Sequence, residues 1–127
     1  MRRYLFLIVF IIFSVTGWAK GKDGYVVATS EAVRADAAWM KVVDALVKKH
    51  KADVIFYKEN IGELQKPLRQ LRPRFVAFVE KPEFLNREYV MEGHRMSRRV
   101  DEDIYADYLW GIITGFSAED AMRLVDR

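Results

Sequence analysis

Four short apolar runs alternate with segments of helical periodicity, and this alternation constrains the fold more than any other feature of the chain. The runs cover residues 24–29, 52–57, 74–79 and 108–113. They are largely apolar at consecutive positions, as a strand buried on both faces requires. Strands that alternate with helices predict an α/β fold, a three-layer sandwich around a short, mostly parallel four-stranded sheet. Because crossovers are right-handed, we expect the strand order 2-1-3-4.

The segments between these runs carry the signals of helix ends. Helices are predicted to end at His50, to cover 61–71 and 86–100, and to begin again over 118–125. Ser30 or Asp36 can cap the first of them, and Ser117 opens a capping box for the last. Pro67 lacks an amide donor, so the second segment is predicted to be a short or broken helix that begins near this proline.

The first 19 residues have the layout of a secretory signal peptide. A basic start at Arg2 and Arg3 precedes an apolar run, and small residues flank a cleavage position after Ala19. The competing interpretation is an uncleaved membrane anchor, but the apolar run is only roughly 18 Å long as a helix, against a hydrocarbon core of about 30 Å. We therefore expect a signal peptide over 1–19, a single α/β domain over 20–127, and an exported protein that is periplasmic, secreted or attached to the cell surface.

Charge and cysteine content exclude several classes of function. The formal charge of +3 falls to +1 when Arg2 and Arg3 are removed with the signal segment, so no nucleic-acid-binding footprint is left. The chain has no cysteine, which excludes disulfides, thiolate metal sites and a cysteine nucleophile within it. We expect no nucleic acid partner, a membrane contact only through an uncleaved signal segment, and a small ligand, protein or peptide as the alternatives.

Two groups of polar residues are candidate sites. Asp101, Asp103 and Asp107 alternate with backbone carbonyls in one loop, which can offer oxygen ligands to calcium, although a role in turns and capping explains them as well. In a doubly wound sheet, ligands bind beyond the carboxyl ends of the strands where the order reverses. That crevice lies between residues 29–31 and 80–81, so Thr29 and Ser30 are predicted ligand contacts, with helix capping as their alternative role.

The acidic loop and the strand and helix that follow it resemble a segment of gingipain-type cysteine peptidases. The resemblance rests on three runs, Asp101–Asp107, Tyr108–Gly111 and Phe116–Ala121. It implies a caspase-like α/β fold and a cation-binding role for the acidic loop. The resemblance carries over no catalytic residue, because that family's histidine and cysteine lie on later strands and His94 precedes the matching segment.

Two functional hypotheses follow. In the first, the chain is the exported N-terminal portion of a gingipain-like protein and is inactive alone; its end at Arg127, soon after the start of a helix, is typical of an interrupted domain. In the second, it is a stand-alone, non-enzymatic exported module that binds a ligand or a protein. A tethered form of either would keep residues 1–19.

Expression of the full chain in an export-competent bacterium tests the signal peptide. We expect the exported product to begin at Lys20, because cleavage follows Ala19. Intact-mass measurement of that product reads the cleavage site directly. A product that retains residues 1–19 and fractionates with membranes would instead establish the anchor.

Overall fold

A computed structural model describes residues 24–103 and 105–127, and the predicted signal segment lies outside them. Its four strands are β1 (Tyr25–Ser30), β2 (Asp53–Tyr57), β3 (Phe75–Val79) and β4 (Leu109–Ile113). They form one sheet in the order β2-β1-β3-β4, and every neighbouring pair is parallel. The predicted α/β class and the strand order 2-1-3-4 are confirmed. The chain winds outward in both directions from β1, which lies next to β2 on one side and β3 on the other.

In residues 24–103 and 105–127, five α-helices connect or follow these strands. They are α1 (Glu31–Arg34), α2 (Ala37–His50), α3 (Gln65–Leu71), α4 (Arg87–Ser97) and α5 (Ala118–Val125). Single 3₁₀ turns at Ile61–Leu64 and Pro82–Phe84 precede α3 and α4. Among the described residues, no helix has both the length and the apolar character needed to span a bilayer.

The helix ends follow from local chemistry, with one correction. Ser30 and Asp36 both act as caps, because a break after α1 gives each its own helix. Pro67 lies in the first turn of α3, where its missing N–H costs no helical hydrogen bond. The predicted end of α4 near Val100 is wrong: the helix stops at Ser97, and the Val100 amide donates to the carboxylate of Asp107 at 2.8 Å instead.

The sheet is buried between two helical layers. The α4 face carries α3 and α4, and its core includes Val26, Ala28, Tyr57, Phe78 and Met96. The α2 face carries α1, α2 and α5, and its core includes Val27, Val33, Trp39, Val43 and Ala121. Successive residues of β1 therefore point into different cores, which explains why its sequence is apolar without alternation.

Close packing of α4 on the sheet depends on Gly93. A Cβ at this position would lie 3.2 Å from the ring of Trp110 on β4, so a larger residue would require the helix or the ring to shift. Phe78 lies beneath α4 and meets the rings of Tyr89 and Trp110 edge-on, at centroid distances of 6.2 and 5.7 Å. These aromatic contacts fix α4 over the carboxyl-terminal half of β3.

Truncation of Phe78 tests this packing. Phe78→Ala should lower the free energy of unfolding by about 3–5 kcal/mol, because the side chain is fully buried and its removal leaves a cavity. Phe116→Ala is the matched control, since Phe116 is 98% exposed and its loss should change stability by less than about 0.5 kcal/mol. Chemical denaturation monitored by circular dichroism measures both. Equal losses in the two variants would contradict the described core.

Candidate functional site

A cleft of about 980 Å³ opens at the carboxyl ends of β1, β2 and β3. One wall is the loop that follows β2, residues 58–61, and the other is formed by α4 between Arg87 and Arg95. Ser30 and Glu80, at the ends of the two central strands, lie between these walls. This is the position where the strand order reverses, which is the usual place for ligands in doubly wound folds. We name it the switch-point cleft.

Glu80 is the most unusual side chain in the switch-point cleft. It directly follows β3 and is 1% exposed. Its carboxylate accepts a hydrogen bond from the Tyr57 hydroxyl and another from the backbone amide of Lys81, at 2.9 Å for the latter. The ammonium of Lys81 turns away and pairs with Asp36 at 2.9 Å. Within residues 24–103 and 105–127, no cation forms an ion pair with Glu80.

Tyr89 extends this hydrogen-bonded group toward α4. Its hydroxyl lies 3.0 Å from the hydroxyl of Tyr57. A phenol has one proton to donate, and Tyr57 directs its proton to Glu80, so the proton between the two phenols belongs to Tyr89. The Tyr89 oxygen then has only lone pairs left. The wall of the switch-point cleft consequently offers an acceptor backed by a buried carboxylate.

Burial and the neighbouring charge both raise the pKa values of the Tyr57 and Tyr89 phenols. Desolvation raises the pKa of Tyr57 far above its ordinary value of 10.0, and the neighbouring Tyr89 and Glu80 raise it further. Desolvation also raises the pKa of Tyr89, and the charge of Glu80 adds to the effect. Both phenols therefore stay neutral in the folded protein at any ordinary pH, available as hydrogen-bonding groups.

Local hydrogen bonds hold the two walls in place. The carboxylate of Glu63 accepts from the backbone amides of Lys58, Glu59 and Asn60 at 2.9, 2.9 and 3.1 Å, which lowers its pKa and fixes the loop after β2. On the opposite wall, the Asn86 side chain accepts from the amide of Tyr89 at 2.8 Å and caps α4. The cleft is thus formed by the fold itself before any ligand arrives.

The two residues predicted to contact a ligand here occupy different positions. Ser30 lines the cleft, and its oxygen accepts from the Val33 amide at 3.2 Å as the cap of α1. Thr29 is fully buried below it and donates to the carbonyl of Val79 at 2.8 Å, which links the two central strands. The capping alternative therefore describes one role of Ser30, and its hydroxyl proton is still available to the cleft.

The predicted acidic site forms a compact group in the loop before β4. One carboxylate oxygen from each of Asp101, Asp103 and Asp107 lies within 4.8 Å of the other two, a spacing that a single calcium ion can bridge. Each carboxylate also accepts a backbone amide of this loop, from Asp103, Tyr105 and Val100 respectively. These bonds shape the loop without an ion, so calcium binding stays a prediction.

Glu80 lies at the edge of the crevice that the strand order predicts, whereas its burial and its contacts with the two tyrosines are not evident from the sequence. Tyr57 lies 23 residues before Glu80 in the chain, and Tyr89 lies 32 residues after Tyr57. The sequence does contain a signal for Glu80. A residue that directly follows an apolar central strand starts from a buried part of the backbone, so a carboxylate there is unusual. Nothing in the local pattern around Tyr57 or Tyr89 distinguishes them from ordinary core aromatics.

Comparison of the chain with models of known families, with curated proteins and with solved structures finds no match.

Removal of the Tyr57 hydroxyl tests the buried hydrogen-bond chain. Tyr57→Phe should lower the free energy of unfolding at neutral pH by about 1–3 kcal/mol, because it deprives a buried carboxylate of a donor. Tyr105→Phe is the control, since Tyr105 is 72% exposed. Urea unfolding of both variants gives the comparison, and an equally small effect in each would disprove the bond's importance.

The same variant has a signature at alkaline pH. A phenol with a raised pKa in the folded state stabilises the fold fully below the unfolded value of 10.0 and loses this contribution as the pH rises above it. Stability of the unaltered protein should therefore fall above pH 10.0. Tyr57→Phe should make that decline shallower, since one of the buried phenols no longer titrates.

Proposed function

We propose that this α/β domain is a non-enzymatic, exported module that binds a small polar ligand in the switch-point cleft. The observation that carries the proposal is the buried Glu80 carboxylate, which has hydrogen-bond donors but no cationic partner among the described residues. A charge removed from water in this way costs free energy, and such groups persist where they serve a purpose other than stability.

The composition of the cleft also favours a ligand over a purely structural void. Ser30, Asn60 and Asn86 each use one side-chain oxygen as an acceptor for a backbone amide, which leaves their hydroxyl or amide protons free to donate. Phe84 is 49% exposed and offers an apolar surface beside them. Apolar surface with a few convergent polar groups is typical of small-molecule sites.

The experiment is a binding screen read out by residue. The full chain is labelled with ¹⁵N and titrated with a panel of small amines, carboxylates, alcohols and sugars. We expect at least one class to shift the amides of residues that line the cleft, such as Ser30, Lys58 and Tyr89. If no class shifts these amides, or if all shifts fall elsewhere, the proposal fails.

A relationship to the leading part of gingipain-type peptidases is a second candidate. The specific feature in its favour is the acidic loop, whose three carboxylates lie together directly before β4. Since the chain contains no cysteine, a cysteine nucleophile would have to come from further sequence. Sequencing of the transcript past codon 127 should then find two more strands that end in a His-Gly pair and a Cys. A stop codon with no such sequence after it would remove this candidate.

A further inference from the structure

The switch-point cleft has an unequal charge distribution. Seven charged residues line it: Lys58, Glu59, Glu80, Arg87, Glu88, Glu92 and Arg95. Arg95 pairs with Glu92 at 3.1 Å. Lys58 and Arg87 lie at the exposed rim, and each has a glutamate as its neighbour in sequence. The rim is therefore close to neutral, and the uncompensated charge of the cleft belongs to the buried Glu80.

The hydrogen-bond directions at the inner wall also favour a positively charged ligand. Tyr57 has one proton and gives it to the Glu80 carboxylate, so the proton in the 3.0 Å contact between the two phenols has to be that of Tyr89, whose oxygen then accepts but does not donate. Behind this acceptor, the field of Glu80 is weakly screened because the carboxylate is shielded from water. Tyr89 and Phe84 both line the cleft, and aromatic rings attract cations.

We infer that the ligand of the switch-point cleft presents an organic cation, an ammonium or guanidinium group, to the Tyr89 oxygen in front of Glu80. The inference rests on the proposed function and specifies its ligand class. An organic cation supplies the N–H donors that this wall lacks and the positive charge that the described protein does not provide. It can come from a free amine or from the basic side chain of a peptide, and the cleft volume of about 980 Å³ accommodates either.

Three probes of matched size test the charge requirement. The full chain is titrated with n-butylamine, n-butanol and butyrate, and dissociation constants are taken from the amide shifts of cleft residues. We expect butylammonium to bind at least about tenfold more tightly than the other two, as a charge-assisted hydrogen bond implies. If butanol or butyrate binds in the cleft equally well, the inference is wrong and the proposed function still stands. If neither these probes nor any class of the wider ligand panel binds in the cleft, the inference and the proposed function are both wrong.

Two variants test whether the Glu80 carboxylate and the Tyr89 hydroxyl cause the preference for a cation. Glu80→Gln keeps the size of the side chain and removes its charge, so the preference for butylammonium should fall to within about twofold. Glu119→Gln, at an exposed position on α5, is the matched control and should keep it. Tyr89→Phe removes the acceptor but leaves Glu80 intact, and it should weaken the binding of butylammonium severalfold. Unchanged cation preference in either cleft variant would contradict the inference.

N-acetyl-lysine amide distinguishes the two sources of the cation. Tighter binding than butylamine would support a basic side chain of a peptide, because the flanking amides then add contacts along the cleft. Binding no tighter than that of butylamine would support a free amine. If this compound, which keeps its side-chain ammonium because only its α-amine is acetylated, binds equally well to the unaltered protein and to Glu80→Gln, the site does not recognise the cation.

Discussion

The structure depends on one constraint, which is that the central strand β1 is apolar on both of its faces. A strand of this kind cannot leave either face in water, so helices have to cover the sheet on both sides. In this chain, α2 covers one face of the sheet, and α3 and α4 cover the other. Once the connections run in opposite directions from β1, a gap at the carboxyl ends of β1 and β3 is unavoidable. The switch-point cleft is therefore a consequence of how the core is buried.

The fold could be predicted because its signals are local. The strand runs and the caps at Asp36 and Ser117 each lie within one short window, and right-handed crossovers then leave few strand orders. The predicted end of α4 lies three residues beyond the observed one, because the competing acceptor, Asp107, is seven residues from Val100 and belongs to a loop without periodicity. Local patterns predict where a helix can form, whereas its end depends on whether the next amides bond back to the helix or to an acceptor elsewhere.

The candidate site was only half predictable for a related reason. The rule for doubly wound sheets placed the crevice beside Glu80 from strand order alone. The partners of Glu80 come from β2 and α4, and their meeting depends on sheet register and on how closely α4 approaches. Gly93 permits that approach, because any larger side chain would meet Trp110. A single sequence does not reveal such convergence, since Tyr57 and Tyr89 look like core residues and pack as core residues too.

Within the described part of the chain, each face of the sheet carries one tryptophan, and the two can serve as separate optical reporters. Trp39 belongs to the α2 face and is shielded from the cleft by the sheet, whereas Trp110 belongs to the α4 face. Trp110 touches Phe78 edge-on, and Phe78 touches Tyr89 at the cleft wall. Indole fluorescence that responds to cleft occupancy would thus originate from Trp110, while emission from Trp39 would follow the integrity of the opposite layer. Versions that keep only Trp110 or only Trp39, with Trp18 also replaced, can separate an event in the cleft from a general loosening of the fold.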